Sequence, residues 1–499
     1  METNNNMTDN ESEKGKGGLR QRLEACTLID WLLTFAVTAL YIGIIIWTGN
    51  AWLLIGLPLV FDLYSTRFIN WGFWKKPKPG RKPSKILEWV DAIVFALIAV
   101  SLLNIFLFQN YQIPTSSLEK SLLVGDHLFV SKVSYGPRMP NTPLSLPMVQ
   151  NTLPGLNIKS YIEWPSWDYH RLAGTDSVRR GDIVVFNFPA GDTVCLKMTN
   201  PDYYSIILGQ GINSLQRGDI SKIDEFGTAW ERNHYLSELG RERIKTPNSP
   251  LSEIVWRPVD KRDCYVKRCV GLPGDTIKIC HNVVSIDGKV IKEYPDVQHC
   301  YRVESSIMLP DRFFSQMEIS NEDRQMAGRG PVYILPLTRE KAEAIRKMSQ
   351  IKSIEILDEE PDSMGLSVYP YSFDYPWSRD NFGPLWIPKR GESVSLTPAT
   401  ALLYERAITA YEGHTLDVRQ GKVYVDGVES ESYTFAMDYY FMMGDNRHKS
   451  ADSRYWGFVP EDHIIGRPLF VWLSLDPDKS GFSSVRTDRI FKTDFDRQW

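Results

Sequence analysis

The sequence predicts a mainly β protein standing outside a membrane and preceded by transmembrane helices. Three observations predict it. The apolar density of the 499 residues sits almost entirely before residue 110. The rest is aromatic-rich and strand-forming, its β-branched runs punctuated by Gly and Pro. Gly-Asp and Asp-Gly pairs recur between those runs as turn signals. Length alone suggests about two to four domains. With 57 Lys+Arg against 61 Asp+Glu, charge is near balance, which removes any whole-protein attraction to nucleic acid.

Residues 1–27 begin polar and Asn-rich and read as a disordered cytoplasmic tail. Residues 28–47 form an apolar run about 20 residues long with no small-residue cleavage pattern at its end, so it reads as an anchor and not a removed leader. A shorter run, 51–63, extends to 69 if Asp62 and Arg67 find partners. With only Thr48-Gly49-Asn50 between the runs, 28–69 is predicted to be a helical hairpin of two spans. A re-entrant or interfacial segment is the alternative for the second arm. The loop 70–88 carries Lys75, Lys76, Lys78, Arg81, Lys82 and Lys85, and no acid before Glu88. Positive loops stay in the cytoplasm. The tail, with Lys14, Lys16, Arg20 and Arg22, agrees, giving three crossings. The third helix, 89–109, contains the apolar run 89–108, and residues 110–499 lie outside.

In that external region, 121–136 and 180–186 each place a Gly-Asp turn beside a β-branched run, and 265–279 reads as two strands around Pro273-Gly274-Asp275. Asp287-Gly288 and Asp426-Gly427 signal hairpins. Two stretches interrupt the β pattern, about 189–263 and about 288–388, and read as insertions on a common core. Helical periodicity appears at 338–348 and 398–411. The aromatic cluster Trp164, Trp167 and Tyr169 reads as core packing, with an interfacial role as the alternative. Cys280 and Cys300 admit a disulfide, but no Cys/His spacing of zinc type occurs, so no metal and no cofactor are predicted.

The chemistry starts at Ser117, nine positions after the third apolar run, in Ile113-Pro114-Thr115-Ser116-Ser117-Leu118-Glu119. A serine hydroxyl needs a base. None of the eight histidines lies in a triad setting; His127 and His448 read as packed or surface residues. Lysine is the alternative, provided burial lowers its pKa from about 10.4 toward 7–8. Lys267, among Tyr265, Val266, Cys269 and Val270, meets that demand, with Arg268 turned to the other face by strand alternation.

The block 444–460, Gly444-Asp445-Asn446-Arg447 followed by Ser450, Asp452, Ser453 and Arg454, resembles the signature of type I signal peptidases, the Ser/Lys serine proteases of family S26. Residues 265–275 resemble the family's lysine box, 114–122 its nucleophile box and 180–186 the short box between, all in the family's order. The resemblance covers about 112–136, 178–188, 264–290 and 390–475, and implies a signal-peptidase-type β core. It implies Ser117 as nucleophile and Lys267 as general base. It further implies Ser450 orienting the lysine, Thr115 and a backbone N–H holding the oxyanion, and Asp452 and Arg454 as a supporting ion pair. Gly444, Asp445, Asn446 and Arg447 would shape the loop behind. Ile113, Leu118 and Val266 would wall the substrate pocket. Where the family has Gly-Ser-Met-x-Pro-Thr-Leu, this chain has Ser116-Ser117-Leu118-Glu119-Lys120-Ser121-Leu122. Leu for Met keeps the volume; Lys120 for Pro frees a backbone angle.

The implied function is a membrane-bound serine endopeptidase, a hydrolase that removes signal peptides from exported preproteins. Its substrates would carry Ala-X-Ala-type sites, and its partners would be the lipid bilayer and the protein export machinery, with no nucleic acid. Its location would be the bacterial inner membrane, with the catalytic domain on the periplasmic side. The competing readings are an inactive homologue, a membrane-tethered scaffold whose insertions do the work, and a self-cleaving regulator, which three anchors and the lack of a DNA-binding segment oppose.

Overall fold

The computed structural model describes residues 23–493, except 25, 50, 67, 70–84, 154, 157, 192, 196–201, 216–225, 246–250, 252, 322, 327–329 and 363–364. Most of the predicted tail and basic loop therefore lies outside the described residues. The chain divides into two compact units, Met1–Leu103 and Asn104–Trp499.

In the first unit, the helix Leu28–Thr48 starts at a capping box in which Thr27 and Asp30 bond each other's backbone N–H, and ends at Gly49, whose φ of 63° suits glycine. The return arm is Ala51–Gly56, Leu57–Phe61 and Asp62–Thr66, successively 3-10, α and π helix. As an apolar helix, Leu53–Thr66, it is too short for the length test that the helices Leu28–Thr48 and Glu88–Phe106 satisfy. The described residues thus give two helices of spanning length, not three. The arm nevertheless runs back along its partner, because a 3-10 turn rises about 2.0 Å per residue. Tyr41 donates to the Leu53 carbonyl at 2.8 Å near one end, and Cys26 to the Ser65 carbonyl at 3.1 Å near the other. Asp62 is not left bare: it accepts from the Thr66 hydroxyl and from the backbone N–H of Phe68 and Ile69.

The second unit is mainly β. Its central sheet has seven strands: β1 Phe108–Gln112, β2 Asp126–Ser131, β3 Ile183–Asn187, β4 Cys264–Gly271, β5 Tyr439–Met443, β6 Val459–Pro460 and β7 Ile464–Ser474, in the order β1-β2-β7-β3-β4-β5-β6 with every neighbouring pair antiparallel. Strand β3 is buried along its length. Its alternation feeds two cores: Ile183 and Val185 join Ile113, Leu118 and Leu122, whereas Val184 and Phe186 join Cys269, Met442 and Trp456. The site is built where β4 passes between these layers.

Both Asp-Gly signals make hairpins, with φ positive at Asp287 and Gly288 and again at Asp426 and Gly427, as a type I′ turn demands. The turn at Gly274 joins β4 not to a hairpin partner but to the strand Thr276–Cys280 of a second, four-stranded sheet. The stretch 189–263 contributes the helices Tyr203–Ser214 and Ala229–Ile244. The stretch 288–388 carries its own four-stranded sheet around Val303, Leu335 and Leu337, covered by the helices Asp311–Gln316 and Arg339–Arg346.

Two expectations need correcting. Cys280 and Cys300 form no disulfide; all six cysteines are free thiols, Cys280 exposed and Cys300 buried. Trp164 and Trp167 are not core: they are 81% and 45% exposed, on a ribbon in which Leu146 donates to the Ser160 carbonyl and Ile162 to that of Leu144. The sequence reports their apolarity, but burial is decided by what else reaches the ribbon.

Candidate active site

β1 runs straight into the loop that carries Ser117. Ile113, Leu118 and Leu122 bury in the core beneath it, pinning a short 3-10 turn, Ser116–Leu118, at its upper surface. From β4, Lys267 reaches the same point: its Nζ lies 2.7 Å from Ser117 Oγ, and its other bond, at 3.1 Å, goes to the carbonyl of Val266. Lys267 shares its strand face with Tyr265, whose ring lies 5.6 Å from the amine, and Cys269. Only 3% of Lys267 is exposed. Burial lowers the amine from 10.5 to about 8, against a weaker opposite pull from the carboxylates of Asp452 and Asp445. With the amine neutral, the serine hydroxyl is the donor and the nitrogen the acceptor, which is what a proton abstraction requires.

Arg268, next along β4, faces away from the amine as alternation demands. Its guanidinium holds Asp445 in a fork at 2.8 and 2.6 Å, donates to the Gly181 carbonyl at 2.7 Å, and shares Ser121 at 3.0 Å. Asp445 also accepts from Ser121 at 2.6 Å. Burial pushes the Asp445 carboxyl up, but Arg268 and these bonds outweigh it and hold it below its ordinary range. This buried pair ties the Ser117 loop to the loop that follows β5.

That loop, 444–450, fits closely. A Cβ at Gly444 would fall 2.2 Å from Ser450 Oγ and 2.6 Å from the Ser117 carbonyl, so only glycine leaves the space. Asn446 donates its backbone N–H to the Ser117 carbonyl at 3.1 Å and its side-chain amide to that of Ser116 at 3.3 Å. Arg454 forks onto Asp452 at 2.9 and 2.8 Å, and Gly444 donates to the same carboxylate at 3.1 Å. The Arg447 backbone N–H bonds the carbonyl of Gln298 at 2.9 Å.

The remaining predicted residues fall into place unequally. Thr115 is exposed and its hydroxyl caps nothing, so it is open to a ligand. Ser450 does not bond Lys267: its hydroxyl engages the Ala451 carbonyl at 3.4 Å and the Asp452 carboxylate. Ile113 and Leu118 are 5% and 2% exposed, so of the three predicted pocket residues Val266, half-buried against the same cluster, offers the most surface. His448 accepts from the Cys300 backbone N–H at 3.0 Å and pairs with Asp380 at 3.1 Å, fixing the loop to the second insertion. His127 packs at a tilt against Trp472, with ring centroids 5.4 Å apart.

Some features were not foreseen. A cavity of about 310 Å³ opens beside Ser450, walled by Phe188, Asp202, Ser205, Tyr371 and Trp456, with both insertions contributing. Glu119 and Lys120 beside Ser117 are mostly buried, and burial pushes the Glu119 carboxyl up to about 7. Ser121 bridges Arg268 and Asp445; its place in the nucleophile box was the only sequence signal for it. Among the described residues no cluster of His, Cys, Asp and Glu is arranged to hold a metal ion.

Comparison with known proteins returns one family model, described as signal peptidase, peptidase S26, over residues 86–309 and 387–473. The first predicted insertion falls inside the matched span, whereas most of the second falls in its gap. Among curated relatives, a Signal peptidase I of Haemophilus influenzae is 22% identical over 409 residues, 82% of this chain and 76% of that protein. Another, from Buchnera aphidicola subsp. Schizaphis graminum, is 21% identical over 392 residues, 78% and 76% of the two chains. A Probable signal peptidase I-2 of Synechocystis is 37% identical over 100 residues, 16% of this chain and 46% of that protein.

Proposed function

From the premise that this chain belongs to the signal peptidase family, peptidase S26, matched over more than half its length, we propose that it cleaves signal peptides with Ser117 as nucleophile and Lys267 as general base. The chain is a signal peptidase I, a serine peptidase and hydrolase, in keeping with relatives of that name. The single observation that carries the assignment of roles is the buried amine 2.7 Å from the hydroxyl.

The chemistry follows from that contact. Ser117 Oγ attacks the scissile carbonyl carbon while its proton passes to Lys267 Nζ. The negative charge that develops on the carbonyl oxygen is met by the Ser117 backbone N–H and the Thr115 hydroxyl. The lysine ammonium then gives its proton to the leaving amine, the C–N bond breaks, and the acyl group remains on Ser117 as an ester. Lys267 takes a proton from water, which hydrolyses the ester and restores the serine. Ser450 supports the loop 444–450, whose Asn446 N–H holds the Ser117 carbonyl, with Asp452, Arg454, Gly444, Asp445 and Arg447 around it. The S26 assignment favours precursors with small residues before the cut, of Ala-X-Ala type.

The lipid bilayer as partner is supported by the two long apolar helices and by the exposed Leu146, Met148, Ile158, Ile162 and Trp164 of the ribbon. Orientation, with the catalytic unit on the extracytoplasmic face of a bacterial inner membrane, is supported by the basic residues of the loop 70–88. The export machinery is the source of such substrates. Incubation of the purified full-length protein with an exported precursor tests the reading. Wild type should release a mature chain with one new N-terminus after a small residue, and Ser117→Ala and Lys267→Ala should each lose at least about 10³-fold in rate. Cleavage persisting in Ser117→Ala would assign the nucleophile elsewhere.

A further inference from the structure

Beyond the helix Asp311–Gln316, the chain makes two ion pairs that the chemistry above does not use, and each lands on a different loop of the site. Lys120, three residues after Ser117, donates to the Glu318 carbonyl at 2.7 Å and lies 3.7 Å from its carboxylate. Lys449, immediately before Ser450, donates to Asp323 at 2.6 Å. Asp323 is 2% exposed and also accepts from the Ser320 hydroxyl at 2.9 Å. The segment is in turn tied to its own sheet, for Lys341 donates to the Met317 carbonyl at 2.7 Å and the Glu318 carboxylate at 2.6 Å.

The backbone at the first of these contacts is unusual. Glu119 has φ −49° and ψ 144°, and Lys120 has φ 75°. Those are the angles of a type II turn, whose third residue favours glycine. A proline, fixed near −65°, cannot take that place. Position 120 is where the nucleophile box departs from the family's proline, and the partner that holds it sits at Glu318, within the gap 310–386 between the two matched stretches. A lysine in a left-handed conformation, in place of a residue that fixes its own angle, is anchored from outside.

We propose that this part of the second insertion is a strut of the catalytic site. By gripping Lys120 and Lys449 it fixes the Ser117 loop and the Ser450 loop relative to each other, which makes Lys120 and Asp323 positioning residues for hydrolysis. The inference rests on the reading of Ser117 as nucleophile.

The test uses full-length protein in detergent and a precursor peptide with an Ala-X-Ala site, measuring kcat and KM separately. Asp323→Asn should lower kcat about tenfold or more while KM moves less than about twofold, since a small misplacement of a reacting group acts on the chemical step. Asp323→Glu should recover part of the loss. Lys120→Gly suits the turn but drops the contact, so it should lower kcat in the same way without requiring the fold to absorb strain. The double variant Lys449→Met/Asp323→Asn should be no slower than the worse single one, because the two act as a pair. If wild type fails to cut the peptide, the functional reading fails. If wild type cuts and Lys120→Gly and Asp323→Asn both keep kcat within about twofold, or lose rate only through KM, the strut is overturned.

Discussion

A hydroxyl and an amine 2.7 Å apart exchange a proton usefully only when the amine arrives uncharged, and burial favours that form of Lys267 by lowering its pKa to about 8. Everything else at the site keeps that pair dry and in register. If Thr115 is an oxyanion donor as proposed, Thr115→Val would remove it without changing the backbone, so kcat should fall about 10²-fold with KM little changed, while Thr115→Ser should retain most activity. Gly444→Ala places a methyl 2.6 Å from the Ser117 carbonyl. It should therefore cost activity through a displaced nucleophile and about 1–3 kcal/mol of stability through overpacking, read by thermal unfolding. The type of chemistry was legible in the residues, since a serine without a histidine in triad setting points to lysine. The engagement of Ser450 was not, because whether its hydroxyl faces Lys267 or the Asp452 carboxylate depends on a rotamer that sequence does not carry.

At the level of elements, the boundary of what sequence gives is the range of the interaction. The two Asp-Gly hairpins formed as their turn chemistry requires, and both predicted helices appear, as Arg339–Arg346 and as Pro398–Arg406 continued by Ala407–Tyr411. These are local. The partition of the strands around Gly274 between two sheets, the exposure of Trp164 and the grip on Lys120 are settled by residues tens to hundreds of positions away. The Arg268–Asp445 pair belongs to this long-range class too. Both partners are buried, so removing one leaves a charge away from water and without its counter-charge. Asp445→Ala is expected to destabilise the unit Asn104–Trp499 by about 3–5 kcal/mol, measured by denaturant unfolding. Replacing an exposed pair such as Lys389–Glu392 should leave the unfolding midpoint almost unchanged, because water screens it.

For the whole molecule, under the proposed function the two long apolar helices would hold the chain at a membrane surface where its substrates are themselves anchored. Confinement raises the effective concentration of enzyme and precursor without any new contact. Under the proposed orientation, protease added to intact spheroplasts should shorten the chain to a membrane-retained N-terminal fragment, and an alkaline wash should release neither. Digestion only after the membrane is opened would reverse the orientation. The second arm of the hairpin matters here. Its residue count falls short, yet it runs back to Cys26; under that orientation, with both the tail and the basic loop cytoplasmic, the arm would have to return across the membrane before Glu88–Phe106 crosses outward.

The most direct measurement is the pH dependence of kcat/KM for the full-length protein on a precursor peptide. Protonated Lys267 cannot accept the serine proton, and its pKa is lowered to about 8, so activity should climb tenfold per pH unit below that value and level off above it. The limb should stay in place in Glu119→Gln, which removes the carboxyl beside Ser117 that burial pushes up to about 7. A limb near the ordinary lysine value of 10.5, or a profile flat across about pH 7 to 10, would contradict a neutral buried amine as the base.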